Sequence, residues 1–356
     1  MAIGDKIVVG PITAIASNPA LTDNSTNIAS THYVNEMLKG RKNYIINGNF
    51  DIWQRGTSQT SSSYGSDDRW LNSSGGSTKT HSQQAFTLGQ TDVPNEPKYF
   101  SRTVVTSVAG AGNQCSKYQG IESVRTLAGK TATLSFYAKA DAAKNIAVEF
   151  LQDFGTGGSP SAAITGIGVT TCALTTSWQK FTVTVNIPSI NGKTLGTSGD
   201  DRLNVLFWFD AGSDYNSRAN SLGQQSGTFD IAQVQLEEGS VATNFEVRHP
   251  ATELALCQRY YEVGSGVSYF PSAGTAYSGV AVNYKVTKRA APTVTVFDDV
   301  STSGKVTAIT GPGGQVANAY SYASTGLDTT NILHIVYAGG SSIYGLRFTF
   351  AADAEL

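Results

Sequence analysis

Charge is what this sequence has least of. Asp, Glu, Lys and Arg make up 15 % of its 356 residues, well under the usual quarter, and 25 basic residues against 27 acidic ones leave a formal net charge of −2. No long basic run exists to neutralise phosphates, which sets nucleic acid aside as a partner. The three cysteines, Cys115, Cys172 and Cys257, lie far apart without C-x-x-C spacing. Neither a zinc site nor a disulfide framework follows, and they read as small buried hydrophobes. The four histidines, His32, His81, His249 and His334, do not cluster. The H-E-x-x-H, G-x-S-x-G and P-loop patterns are missing, and with them the usual signatures of metalloproteases, α/β-hydrolases and nucleotide-binding enzymes. No run of about 18 apolar residues occurs, and the opening "MAIGDKIVVGPITAIASNPALTD" lacks the basic start and apolar core of a signal peptide. The expectation is a soluble protein made in a cytoplasm, with no membrane insertion. No repeat of about 20 to 50 residues is visible, so a long parallel β-helix has no support.

What is abundant is Gly, at 37 residues, together with Ser, Thr and Asn. Such a neutral, hydroxyl-rich surface suits an all-β extracellular or virion protein. Residues 1 to about 29 carry too little patterned apolar surface for a domain and read as an attachment arm. "STHYVNEMLKG" follows, a short helix with Val34, Met37 and Leu38 on one face and Gly40 at its end. At about ten residues it needs a partner, either the next domain or copies of itself around a symmetry axis. From Tyr44 to about Phe245 the period becomes two. "TATLSFYAKA" places Leu134, Phe136 and Ala138 on one face, "KFTVTVNI" alternates likewise, and "GTFDIAQVQLEEG" slips phase near Ala232 to Val234, as a bulge would. With further strands at Tyr99–Ser107, Ile146–Leu151 and Leu203–Asp210, an antiparallel jelly-roll sandwich is the economical fold. "HPATELALCQRYYEVG" reads as a second helix, over 249–264, with Pro250 in its first turn and Gly264 closing it. Alternation then resumes in a smaller β-domain to residue 356.

"NYIINGNFDIWQRG" poses a choice between a ligand loop and a structural corner. Asn47-Gly48 is a turn pair, and Phe50, Ile52 and Trp53 can return to the core, which favours the corner. "SDDRW" reads as a charged loop before a ring that plugs the core. The pairs Asp67-Asp68, Asp200-Asp201, Glu237-Glu238 and Asp298-Asp299 invite a glycosidase reading, but neighbouring strand residues face opposite ways. Asp200 and Asp201 either end a loop or join loop carbonyls around Ca²⁺; Glu237 and Glu238 read as solvated strand ends.

"LNVLFWFD" is apolar on both faces: Leu203, Val205, Phe207 and Phe209 on one, Leu206 and Trp208 on the other. The second face requires a cover, from a loop, a neighbouring subunit or a ligand. Tyr137 and Glu149 stand on outward parity in their own strands. Tyr137, Glu149 and Trp208 are therefore the candidate carbohydrate-binding residues, since a sugar stacks its C–H face on an aromatic ring while its hydroxyls bond polar groups. A Trp packed under a surface loop or against another subunit is the alternative.

"NYIINGNFDIWQRGTS", "DDRW", "LAGKTATLSFYAKA", "FGTGGSPS", "SWQKFTVTVNIPSINGKTLGT", "GTFDIAQVQLEEGSVATNFEVRHPATELALCQRYYE" and "KRAAPTV" together resemble tail-fibre and related virion-fibre proteins of tailed bacteriophages, over about residues 44–297. The resemblance implies a jelly roll like that of carbohydrate-binding modules and a distal β-domain, commonly in a homotrimer. "NIASTHYVNEML" is similar to the short helix that precedes such modules. The organisation it implies is an N-terminal virion-attachment arm and helix at 1–43, a jelly roll at 44–248, a linker helix at 249–264 and a C-terminal β-domain at 265–356. It carries across no catalytic motif. The function expected is non-enzymatic attachment of a virion to host-surface glycan, with another virion protein bound through the arm. A glycan depolymerase and a purely structural decoration or adaptor protein are the rivals.

Overall fold

The computed structural model describes residues 43–274, 278–311, 314–321, 323–325, 329, 332–337 and 343–356. The expected arm and the helix near Ser30 to Lys39 lie outside them. Eleven strands build the sandwich. One sheet has the order β1 (Ser58–Gln59), β3 (Thr78–Ala85), β4 (Tyr99–Thr106), β11 (Gly227–Glu238), β6 (Thr131–Ala140), β9 (Gln179–Asn186). The other has β2 (Leu71–Gly75), β5 (Gln114–Glu122), β10 (Arg202–Ala211), β7 (Lys144–Asp153), β8 (Ile164–Leu174). Every pairing is antiparallel, and from β4 onward the chain passes back and forth between the sheets except at the β7–β8 hairpin, as in a jelly roll.

The inward positions of both sheets make one core. Phe136 of β6 meets Phe207 of β10 edge-on at 5.0 Å, and Phe209 lies 5.3 Å from Phe229 of β11, so rings from opposite sheets lock the layers. The phase slip of β11 is a bulge: its register against β6 shifts between Ala232 and Gln235, and Gln233 takes a left-handed φ of 47°. The bulge frees Val234 from the ladder, and the N-terminal segment takes its polar groups. The Val234 amide donates to Gly48 O at 2.9 Å, and Asn43 Nδ2 donates to Val234 O at 3.1 Å.

"NYIINGNFDIW" is the corner anticipated. Asn47 adopts φ 56° and ties the turn with its own amide, which donates to Ile52 O at 2.8 Å and Asp68 O at 3.0 Å while its Oδ1 accepts from Ile52 N. Gly48 is required because a Cβ there would lie 2.1 Å from Val234 O. Phe50 stacks on Trp70 at 5.4 Å, both buried. Arg55 pairs with Asp353 and Glu355 near the end of the chain. "SDDRW" differs from the charged loop expected: Asp67, Asp68 and Arg69 are buried, with Asp67 paired to Lys117 and Arg69 to Glu355. Glu237 is also buried, accepting from Thr243 N at 2.8 Å and Oγ1 at 2.7 Å, while Glu238 pairs with Lys130.

Among the described residues the one α-helix is α1 (Pro250–Gln258), shorter than the 249–264 expected. His249 caps it, accepting from Ala251 N. The chain turns at Arg259, and Tyr261 already pairs with Asp353 in a sheet, so Gly264 is a strand residue. A Cβ at Gly264 would stand 2.5 Å from the Phe350 ring, which explains the glycine without a helix end. Beyond α1, β12 (Tyr261–Gly274), β19 (Ile343–Asp353), β15 (Lys305–Gly311) and β16 (Gly314–Ser321) form a sheet, with β14 (Thr293–Phe297) also on β19. A three-stranded sheet joins β13 (Ser278–Asn283), β18 (Ile332–Tyr337) and β17 (Ala323–Thr325). Val294, Val296, Leu346, Phe348 and Phe350 fill a separate small core. All three cysteines are buried free thiols, and burial pushes the Cys115 thiol up to about 12.

Candidate functional site

The outward face of the five-stranded sheet carries the site. Along β10, Arg202, Asn204, Leu206 and Trp208 share the parity opposite the core residues Leu203, Val205 and Phe207. The cover anticipated for this face comes from the chain itself. After β10 the segment 212–226 folds back through a 3₁₀ turn, Ser213–Tyr215, and sets Tyr215, Ala219 and Leu222 over Ala147, Leu206 and Trp208. No neighbouring subunit is needed to remove Leu206 and Trp208 from water.

Glu149 holds that cover in place. Its carboxylate, fully buried, accepts four bonds: from Trp208 Nε1 (3.0 Å), Arg218 Nε (2.9 Å), Arg218 Nη2 (3.0 Å) and Gly166 N (2.8 Å). The bidentate fork of Arg218 supplies the charge that lets the carboxylate remain out of water. The Trp208 ring is 2 % exposed, tilted against Tyr215 at 5.1 Å and under the Arg218 guanidinium at 5.1 Å. Its face is therefore taken by protein groups.

Where the 212–226 cover ends, a cleft of about 260 Å³ opens over the same sheet, near the lower end of the range for small-ligand sites. Tyr118 and Tyr215 supply aromatic surface, and Ser73, Gln114 and Ser116 line one side. Arg202 Nη2 pairs with Asp153 Oδ2 at 3.1 Å. Burial pushes the Tyr118 phenol above its ordinary range, with the nearby Arg202 charge pulling it back. Three buried polar atoms of cleft residues have no hydrogen-bond partner among the described residues: Gln114 Oε1, Arg202 Nε and Asn204 Oδ1. Leaving such groups unpaired costs about 1–3 kcal/mol each, a cost that a bound water or a ligand hydroxyl would relieve. Asn204 and Arg202 stand two residues apart on β10, whereas Gln114 lies toward the other end of β5, opposite Ala211; an acceptor and an N–H donor on one strand face suit a hydroxyl, which both gives and accepts.

Of the sequence candidates, Glu149 and Trp208 come together, as the support of the cleft rather than its open face. Tyr137 lies elsewhere, on the outer parity of β6 in the other sheet, opposite Lys180 and Ala232. Asp200 and Asp201 do not share a site. Asp200 accepts from Thr156 N and Oγ1, both at 2.7 Å, and Asp201 from Val124 N at 2.8 Å and Ser123 Oγ at 3.2 Å. Each caps its own loop, and no group of three or more His, Cys, Asp or Glu among the described residues could hold a metal ion. Sequence reading missed Tyr118, Arg202, Asn204 and Gln114. Arg202 and Asn204 continue the parity of Leu206 and Trp208 and were open to discovery on that ground.

Comparison with known proteins returns no matching family model and no matching curated protein. Several solved structures are similar at low identity. A family 11 carbohydrate-binding module from Clostridium thermocellum, in complex with a β-1,3-1,4-mixed-linked tetrasaccharide, is 12 % identical, covers 53 % of this chain and 98 % of its own, and gives a TM-score of 0.32. A putative sugar-binding protein from Bacteroides thetaiotaomicron is 13 % identical over 56 % of this chain and 100 % of its own, at 0.33. The enzymatically active domain of bacteriophage CBA120 tailspike protein 4 is 13 % identical over 55 % of this chain but 21 % of its own, at 0.31. The jelly roll assigned above rests on strand order and not on these likenesses.

Proposed function

We propose that this chain is a non-catalytic, saccharide-binding fibre protein of a tailed bacteriophage virion, with the cleft over β5, β7 and β10 as its glycan site. The observation that carries the binding role is a cleft walled by Tyr118 and Tyr215 whose lining residues Gln114, Arg202 and Asn204 each keep a polar atom without a partner among the described residues. The non-catalytic reading is supported by the state of the nearby carboxylates. Asp153 at the cleft is paired with Arg202, and Glu149 beneath it accepts four bonds, whereas glycoside hydrolysis needs two carboxyl groups free to work across a bond.

The virion role rests on the sequence resemblance. In this reading residues 1–43 attach to another virion protein, 44–248 bind glycan, and 265–356 form the distal part. A homotrimer would link three weak sites, making the later contacts intramolecular and raising avidity. Calorimetric titration of the whole protein with host-surface oligosaccharide tests the site. Asn204→Ala should weaken binding by roughly 5–10-fold, the equivalent of about 1–1.4 kcal/mol; unchanged affinity rejects the cleft. Shortening of purified host polysaccharide in a reducing-end assay would select the depolymerase instead. Binding to virions without binding to host cells would select the adaptor. A monomer by light scattering removes the avidity reading.

A further inference from the structure

A second cleft, about 650 Å³, opens where the outer face of the C-terminal sheet meets the sandwich. Strand register makes its floor. Thr293 of β14 and Tyr261 of β12 both stand opposite Asp353 of β19, and Thr295 stands opposite Ala351. These positions alternate with Val294, Val296 and Phe350, which fill the core beneath. Ala351 presents only a methyl group, so the floor dips between larger neighbours. Tyr64 and Gly65 bring the wall from the sandwich, and Phe297 adds a third ring.

Arg55 fixes wall to floor. Its buried guanidinium lies 3.6 Å over the Tyr261 ring and 5.6 Å from that of Tyr64. It donates to Asp353 Oδ2 at 3.1 Å and Glu355 Oε1 at 3.2 Å. The cleft is therefore built before any ligand arrives. Its open polar groups are of two kinds. The Asp353 side chain is 43 % exposed and keeps acceptor capacity beyond its bonds to Arg55 and to the Glu355 amide. The hydroxyls of Thr293 and Thr295 lie in the cleft and form no hydrogen bond among the described residues.

We infer that this cleft is a second saccharide site, selective for a neutral pyranose. Phe297 and the parts of the Tyr64 and Tyr261 rings not covered by Arg55 offer apolar surface to the C–H face of a sugar, while a carboxylate and two hydroxyls line the same cleft. Glu355 is buried between Arg55 and Arg69, and the charge left exposed in the cleft is the Asp353 carboxylate, which disfavours uronic acids and phosphorylated sugars. The site is separate from the sheet cleft and does not depend on it.

Saturation-transfer difference NMR on the full-length protein tests this, using the methyl glycosides of glucose, galactose, mannose and N-acetylglucosamine, with methyl glucuronide as the acidic control. At least one neutral glycoside should give signal. That signal should fall at least five-fold in Thr295→Val, which keeps side-chain shape on a strand, and in Ala351→Leu, which fills the dip, while persisting in Asn204→Ala. Thermal melts of the variants establish that they fold. The inference is overturned if no neutral glycoside gives signal with the native protein, if Thr295→Val and Ala351→Leu leave it unchanged, if it vanishes only in Asn204→Ala, or if the glucuronide binds more strongly. Failure of the sheet cleft would appear separately, as oligosaccharide affinity unaffected by Asn204→Ala.

Discussion

Replacing Glu149 with alanine should loosen the 212–226 cover and, through it, the sheet cleft. The substitution removes the acceptor for Trp208 Nε1, Gly166 N and both nitrogens of the Arg218 fork. Glu149 is fully buried, while Arg218 keeps 26 % of its side chain exposed, so the stranded arginine can turn toward water but the indole N–H cannot. Breaking a buried pair costs about 3–5 kcal/mol, and the stranded indole alone accounts for about 1–3 of that. At about 2–4 °C per kcal/mol for a domain of this class, the melting temperature should fall by roughly 6–20 °C. Arg218→Ala should cost a similar amount because it leaves the carboxylate without its counter-charge. The double variant should cost less than the sum, with a coupling on the order of 1–3 kcal/mol. Scanning calorimetry supplies the cycle, and hydrogen exchange of the amides at 215–222, several of which close turns on Tyr215 and Ala219, should quicken in all three variants. Additive losses, or an unchanged melting temperature in Glu149→Ala, would refute the claim that this pair holds the cover.

Gly48→Ala should destabilise by about 1–3 kcal/mol, since the new methyl meets the Val234 carbonyl at 2.1 Å; a thermal melt within 2 °C of the native one would count against the corner-on-bulge contact. His81 sits buried beside Lys117 and Lys79, and burial first, then those charges, hold its pKa well below 6.5. The fold keeps it neutral, so its contribution is present above the unfolded pKa near 6.5 and is lost as pH falls below that. His81→Asn should flatten the denaturant-derived stability between pH 6.5 and 5 by up to about 1.4 kcal/mol per pH unit, and identical slopes would disprove it. Asp68 works in the opposite direction. Burial raises it to about 6, against the bonds from Gln54 and the charge of Arg55, so the folded form holds its proton longer than the unfolded chain and stability declines as pH climbs from about 4 to 6. Asp68→Asn should remove that decline, on the order of 3 kcal/mol in all; a decline of the same size in the variant contradicts the assignment.

Strands with a regular alternation of apolar and polar residues were legible. Those of β6 and β9 follow the pattern closely, β10 stood out by being apolar on both faces, and even the β11 bulge showed as a phase slip. β5 was not, because its inward positions are Cys115, Lys117, Gln119 and Ile121, half of them polar. Lys117 is buried against Asp67, and Gln119 exchanges two 2.8 Å bonds with the Ile46 backbone. A pattern reader counts such residues as outward, yet partners distant in sequence bring them inside. The same blindness left the charges of "SDDRW" in a loop instead of the interior and carried the helix on to Gly264, since neither the Glu355 partner of Arg69 nor the Phe350 ring beside Gly264 is visible locally. The cleft was half legible. Parity found the apolar second face of β10, but only the fold shows that Tyr137 belongs to the other sheet and that Glu149 serves to pin Arg218 and Trp208.

The docking of the corner on the bulge has a consequence for biogenesis. Asn43 and Val234 are 191 residues apart, and Asn47 meets Glu253 across 206. On a ribosome adding about 5–20 residues each second, the segment from Asn43 to Trp70 waits roughly 10–40 seconds before its seat on β11 and α1 has been synthesised. During that interval its isoleucines and large rings are exposed, which makes this nascent segment a natural client for chaperones and the stretch where slowed translation would cost the most soluble product.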